Sequence, residues 1–140
     1  MPDRRAMKIA VIATIAASAF GLHASAQKAP QTPAVFTEII KGVAVGGYDP
    51  VAYFTDGKPI AGKPEITLLH DGAIWRFANE ANRDAFKAEP AKHAPQYGGY
   101  CAWAVANGYT AKGDPKAWTV AGGKLYLNYN TRARDRGHRG

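Results

Sequence analysis

Cysteine is almost missing from this chain: there is one, Cys101, in 140 residues. No disulfide can form within the chain, and a site needing two thiolate ligands is excluded. Methionine is also scarce, with two residues. No long apolar run follows Leu22, so no later segment reaches the ~20 residues that a membrane-spanning helix needs. The glycine pairs Gly46-Gly47, Gly98-Gly99 and Gly122-Gly123 lack the spacings of phosphate-cradling loops, which removes the commonest nucleotide sites. Each Asp and Glu has a sufficient reading as a turn, a cap or a solvated face, so paired carboxylates for acid–base work are unsupported. No internal repeat is apparent.

What is present begins with an address. Arg4, Arg5 and Lys8 precede the apolar run of residues 9–22, and Ala24-Ser25-Ala26 fits the small-residue cleavage rule. Residues 1–26 are therefore expected to be a secretory signal, with Gln27 as the first mature residue. The residues after Arg4-Arg5 fit a twin-arginine signal poorly, and no Cys near the cleavage site supports a lipid anchor. The expected location is the periplasm or the medium, with no stable membrane insertion after cleavage.

The headline charge is +7, from 18 basic and 11 acidic residues. Three basic residues and one acidic residue fall in 1–26, and four basic and one acidic in 132–140, so residues 27–131 carry only +2. The basicity sits at two ends instead of along an aromatic-studded face. That pattern does not point to nucleic acid.

The mature chain is the size of one domain. Residues 27–44 read as a flexible lead-in, Pro- and Ala-rich at first. Phe36, Ile39, Ile40 and Val43 then form an apolar set ambiguous between helix and strand. Pro50 forces Asp49 to be extended, and Val51, Tyr53 and Phe54 call for burial. Residues 66–70 and 73–77 are β-prone runs joined at Asp71-Gly72, a hairpin turn dipeptide. Asn79 can cap a helix over 80–88 that Pro90 stops, with Phe86 facing the hairpin. A second short helix is expected over 100–106, ended by Asn107-Gly108. A second hairpin follows, with runs 117–120 and 124–129 joined through Gly122-Gly123. Residues 131–140 read as a basic disordered tail. The class is α+β, with two hairpins and short helices around one aromatic-rich core.

Cys101 follows Gly98-Gly99 and is either a small buried hydrophobe or a working thiol or metal ligand. Burial in an aromatic setting beside Tyr97 and Tyr100 is the expectation. His93 lies across a bend from it, and a Cys101–His93 pair with a tyrosine oxygen is a candidate site for copper or zinc. His70 adjoins a turn, and His138 lies in the tail. Nucleophilic catalysis would need a base and an orienting group beside Cys101, and no spacing favours either. Most aromatics belong to the core. Tyr48, Tyr97 and Tyr100, each beside glycines, are the candidates to line a small-ligand pocket.

Three blocks in order resemble the YHS domain family, small α+β modules related to treble-clef metal-binding domains. They are Tyr48-Asp49-Pro50-Val51-Ala52-Tyr53-Phe54, then Gly98-Gly99-Tyr100-Cys101-Ala102, then Lys124-Leu125-Tyr126-Leu127-Asn128-Tyr129-Asn130. The resemblance spans about residues 45–130 and is closest to an exported single-domain branch. Metal-binding members carry cysteines at positions that fall here on Ala52, Ala78 and Asn82, so their thiolate site is absent. The end also departs: where relatives continue with a Trp-containing helix, this chain ends in Arg and Gly. The resemblance implies an accessory or binding protein instead of an enzyme, handling metal (copper) or redox chemistry. The alternative is a module that has lost metal binding and takes a small ligand or a periplasmic protein partner.

Overall fold

The computed structural model describes residues 31–137. The expected signal with its cleavage site, and His138, lie outside the described residues. Residues from Pro33 onward form one compact unit. Among the described residues no helix is long and apolar enough to cross a membrane.

The fold is α+β, as expected. A 3-10 turn, Ala44–Gly47, leads into the short helix α1 (Ala52–Thr55). Strands β1 (Lys63–His70) and β2 (Ala73–Phe77) follow, then α2 (Glu80–Ala88) and α3 (Pro90–His93). A second 3-10 turn, Gln96–Gly99, leads into α4 (Ala102–Ala106), strands β3 (Asp114–Ala121) and β4 (Lys124–Asn128), and α5 (Thr131–Gly137). The strands make two separate antiparallel pairs, β1–β2 and β3–β4.

Local chemistry accounts for these elements. Asp71 and Gly72 have φ of 50° and 77°, and Gly122 and Gly123 of 59° and 77°. Two successive positive φ angles make the tight turn whose twist matches paired strands. Asn79 caps α2 by accepting from the Asn82 amide at 2.8 Å. Helix α2 ends at Ala88, and Pro90 opens a further helical turn at a position where its missing N–H costs nothing.

The expectation of no repeat is overturned, because the chain folds the same unit twice. The β1–β2 hairpin recurs 51 residues later with the same register: Leu68↔Trp75 and Leu69↔Ile74 match Thr119↔Tyr126 and Val120↔Leu125. The irregularity between Lys63 and Thr67 recurs between Asp114 and Trp118. Asn130 caps α5 through the Ala133 amide at 2.9 Å, as Asn79 caps α2. Even the Arg83–Asp84 ion pair recurs as Arg134–Asp135. The glycine turns correspond 52 residues apart, with Tyr48 N–H donating to Val45 O and Tyr100 N–H to Tyr97 O. Asp49 N–H donates to Ile60 O as Cys101 N–H donates to Ala111 O. The second copy is thus one residue shorter between its short helix and its hairpin.

The two ends of the chain need correction. Residues 131–137 are not a disordered tail: they form α5, the second copy of α2, held by its Asn130 cap. The lead-in expected over 27–44 is ordered from Pro33 onward. Val35 and Val43 are buried, Phe36 N–H donates to Gly98 O, and Ile74 N–H donates to Gly42 O. Gly98 is required there, since a Cβ would collide with the Ala34 carbonyl. Helix α4 starts at Ala102, with Tyr100 extended and Cys101 at the non-helical N-cap position ahead of it.

One buried cluster joins Val45, Val51, Tyr53, Trp75, Phe77 and Phe86 of the first copy to Leu125 and Leu127 of the second. Trp75 and Phe86 meet at 4.7 Å between ring centroids, and Phe77 and Phe86 at 5.4 Å. Aromatic pairs at these separations stabilise beyond their buried area.

Candidate functional site

The polar centre of the first copy is Asp49, which has no solvent exposure. Its Oδ1 accepts from the amides of Val51 at 2.8 Å and Ala52 at 3.4 Å. Its Oδ2 accepts from the Ala78 amide and the Asn82 side chain, both at 2.8 Å. One carboxylate so ties α1, the end of β2 and α2 together. Hydrogen bonds to a charged acceptor are the strong kind, and four of them offset the cost of burying it. Ala52, Ala78 and Asn82, where the resemblance puts cysteines, are the positions that converge on this carboxylate.

The counterpart of Asp49 in the second copy is Cys101, also buried, at the N-cap position of α4. Its thiol lies 3.8 Å from Asn128 Oδ1, which also accepts from the Trp103 amide at 3.1 Å. The expected burial at the start of this helix therefore holds. Among the described residues, no histidine or carboxylate is hydrogen-bonded to the thiol.

His93 is buried elsewhere. Its Nδ1 is 3.1 Å from Glu89 O, and its ring stands edge-on to Phe54. Its role is packing with a polar tip. Among the described residues no group of three or more His, Cys, Asp or Glu side chains is placed to hold a metal ion. The Cys101–His93 pair is therefore left without a third ligand of these types. His70 packs its ring on Trp75 and Phe86 and lies 3.3 Å from Asp71.

The three tyrosines do not build one pocket. Tyr48 borders a cleft of about 340 Å³ with Ile39 and Pro115. Tyr100 turns its ring onto Phe36 and donates its hydroxyl to Pro33 O at 3.0 Å. Burial, and then the nearby Glu38 charge, raises its pKa. Tyr97 alone lines the cleft that Trp103 also lines. It is half exposed, and its φ of 58° is a left-handed angle that costs a non-glycine residue energy.

That cleft, of about 290 Å³, lies between the second hairpin, α4 and α5. Tyr97, Trp103 and Tyr126 supply aromatic walls, Thr119 and Asn128 supply polar groups, and Arg134 is its one charged lining residue. On the other side of Trp103, Tyr109, Tyr129, Arg132 and Arg136 line a second cleft of about 310 Å³ that reaches Cys101. The Arg136 guanidinium lies 5.9 Å from the Trp103 ring centroid, within cation–π range.

Sequence reasoning found Tyr97 and Cys101 but missed Asp49, Trp103, Asn128 and Arg134. The signal that would have found them is the recurrence of Gly-Gly-Tyr at 46–48 and 98–100. Aligned on it, Asp49 falls on Cys101, and the capping Asn79 falls within one residue of Asn130. No protein-family model, curated protein or solved structure matches this chain.

Proposed function

We propose that this chain is an exported YHS-like binding module, not an enzyme, that engages a small ligand or a protein partner without a bound metal. The observation that carries this reading is the Asp49 knot. The three positions at which the resemblance places metal-binding cysteines instead donate to, or adjoin, one buried carboxylate with four hydrogen bonds. A centre so occupied has neither the soft ligands nor the open room that copper or zinc needs. Metal or redox handling through Cys101 is the weaker reading, since its thiol meets an amide oxygen, not a second soft ligand. The aromatic clefts beside Trp103 have the mixed apolar and polar lining of ligand sites.

The test is metal analysis of the untagged mature protein with thermal unfolding in added Cu²⁺ or Zn²⁺. The expected result is no stoichiometric metal and an unchanged melting temperature. Stoichiometric metal that disappears in Cys101→Ser would overturn the reading.

A further inference from the structure

In the first copy the space between hairpin and helix is packed solid by His70, Trp75, Phe77 and Phe86. Their structural equivalents in the second copy, 51 residues on, are Ala121, Tyr126, Asn128 and Gly137. All four line the 290 Å³ cleft. The cleft is therefore the core of the second copy with most of its side chains removed. Phe54 and Leu68 are likewise replaced, by Ala106 and Thr119, both in the same lining. A copy that only shed packing would have become a flat surface. Tyr126 keeps the aromatic wall of Trp75, and Tyr97 and Trp103 add two more where the first copy has Val45 and Val51. Asn128 and Thr119 bring an amide and a hydroxyl beside the guanidinium of Arg134, which both copies share.

We infer that this cleft is a binding site for a small aromatic acid, whose ring takes the place that Phe86 fills in the first copy. The inference rests on the binding-module reading above and names its site and ligand class. The volume left by the shortened side chains falls near the lower end of known small-ligand pockets. Tyr97 and Tyr126 pack against each other as one aromatic wall, 6.3 Å apart between centroids, and Trp103 supplies a second wall against which a flat ring can lie. Asn128 is oriented, because its Oδ1 accepts from the Trp103 amide and leaves the NH₂ as its donor end. Arg134 uses Nε on Asp135 at 3.1 Å, and its terminal nitrogens remain as donors for a carboxylate.

The experiment is calorimetric titration of the mature full-length protein with benzoate and indole-3-acetate, beside benzyl alcohol and acetate as controls. Saturable one-to-one binding of at least one aromatic acid is expected, with benzyl alcohol at least about tenfold weaker and acetate silent. Arg134→Gln should remove the preference for the acid over the alcohol. Gly137→Phe restores the ring of the first copy into space where a Cβ meets nothing within 4 Å. It should abolish binding and raise the melting temperature. Ala106→Phe blocks the same cleft from α4 and should do the same to binding. Overturning results are no aromatic acid binding at millimolar concentration, or undiminished binding in both filled variants. A metal-free protein that binds none of the probes defeats this inference and leaves the metal-free reading standing. Stoichiometric metal defeats that reading whatever the titration gives.

Discussion

The two copies of the folding unit share turns, register, caps and an ion pair, and differ in what lies between hairpin and helix. In the first copy Trp75, Phe77 and Phe86 close that space, and Phe86 is wholly buried. In the second, Tyr126 is partly exposed, Gly137 has no side chain, and α5 buries no residue. One copy is therefore the structural anchor, and the other is held in shape by its hydrogen bonds and by its back face. A shared backbone does not fix an interior. Once caps and turns specify the path, side chains under the helix can be exchanged for a cleft without losing the element.

The largest break in this comparison should come from Asp49. Asp49→Ala leaves the buried Val51 amide and the partly buried Ala78 amide without acceptors and should destabilise by about 3–5 kcal/mol in denaturant unfolding. The equivalent change in the second copy, Cys101→Ala, should cost only about 1 kcal/mol, since it shrinks a small side chain with one weak contact. Equal costs would show that the copies are not divided into anchor and site. In the native protein the buried thiol should also react slowly with iodoacetamide, and rapidly after denaturation.

Phe86→Ala should cost about 3–5 kcal/mol, because three rings lose their partner in a site with little freedom to collapse. Deleting residues 131–140 removes the counterpart helix, which buries no side chain, and should lower the melting temperature less than Phe86→Ala does.

A pH dependence separates the copies as well. Tyr53, in the first, is buried and donates its hydroxyl to Pro115 O at 2.7 Å. Burial first, then the neighbouring Tyr48, Asp114 and Asp49, raises its pKa far above the ordinary value of 10.0. The folded state thus favours the neutral phenol. Its contribution is fully present below about pH 10 and is lost as pH climbs above that value, where the unfolded chain releases the proton first. Tyr53→Phe should be less stable at neutral pH but lose less stability between pH 9 and about pH 11. A wild-type protein with flat stability across that range would contradict the assignment.

The smallest effects come from the glycine turns. Val45 and Tyr97 occupy equivalent left-handed positions, with φ of 53° and 58°. Tyr97→Gly relieves an exposed residue and should change stability by less than about 1 kcal/mol, in the stabilising direction. Val45→Gly relieves the same angle but deletes a buried side chain, so it should destabilise by about 1–2 kcal/mol.

Much of the local structure was legible in the residues themselves, because turns and caps are short-range chemistry. Asp71-Gly72, Gly122-Gly123 and Asn79 specify their turns and cap through φ preference and a side-chain acceptor a few residues away. The burial of Cys101 was legible too, from a thiol placed between glycines and aromatics. The second capped helix was not, since Asn130 is followed by arginines that resemble a frayed end.

The repeat was hidden for a definite reason. Strand β2 buries the apolar Ala73, Trp75 and Phe77, while the apolar residues that β4 buries are Leu125 and Leu127, one position out of phase with their equivalents. The two hairpins keep one register but present opposite faces to the core, so their hydrophobic patterns do not align. Side-chain alternation follows what packs against each face, and that is decided across the fold. The sequence alone determined where its two hairpins turn, where α2 is capped and which class of fold it builds. Only the tertiary structure decided which copy would be filled, which would stay open, and that Asp49 would gather donors from residues up to 33 positions away, because burial depends on neighbours that no local pattern records.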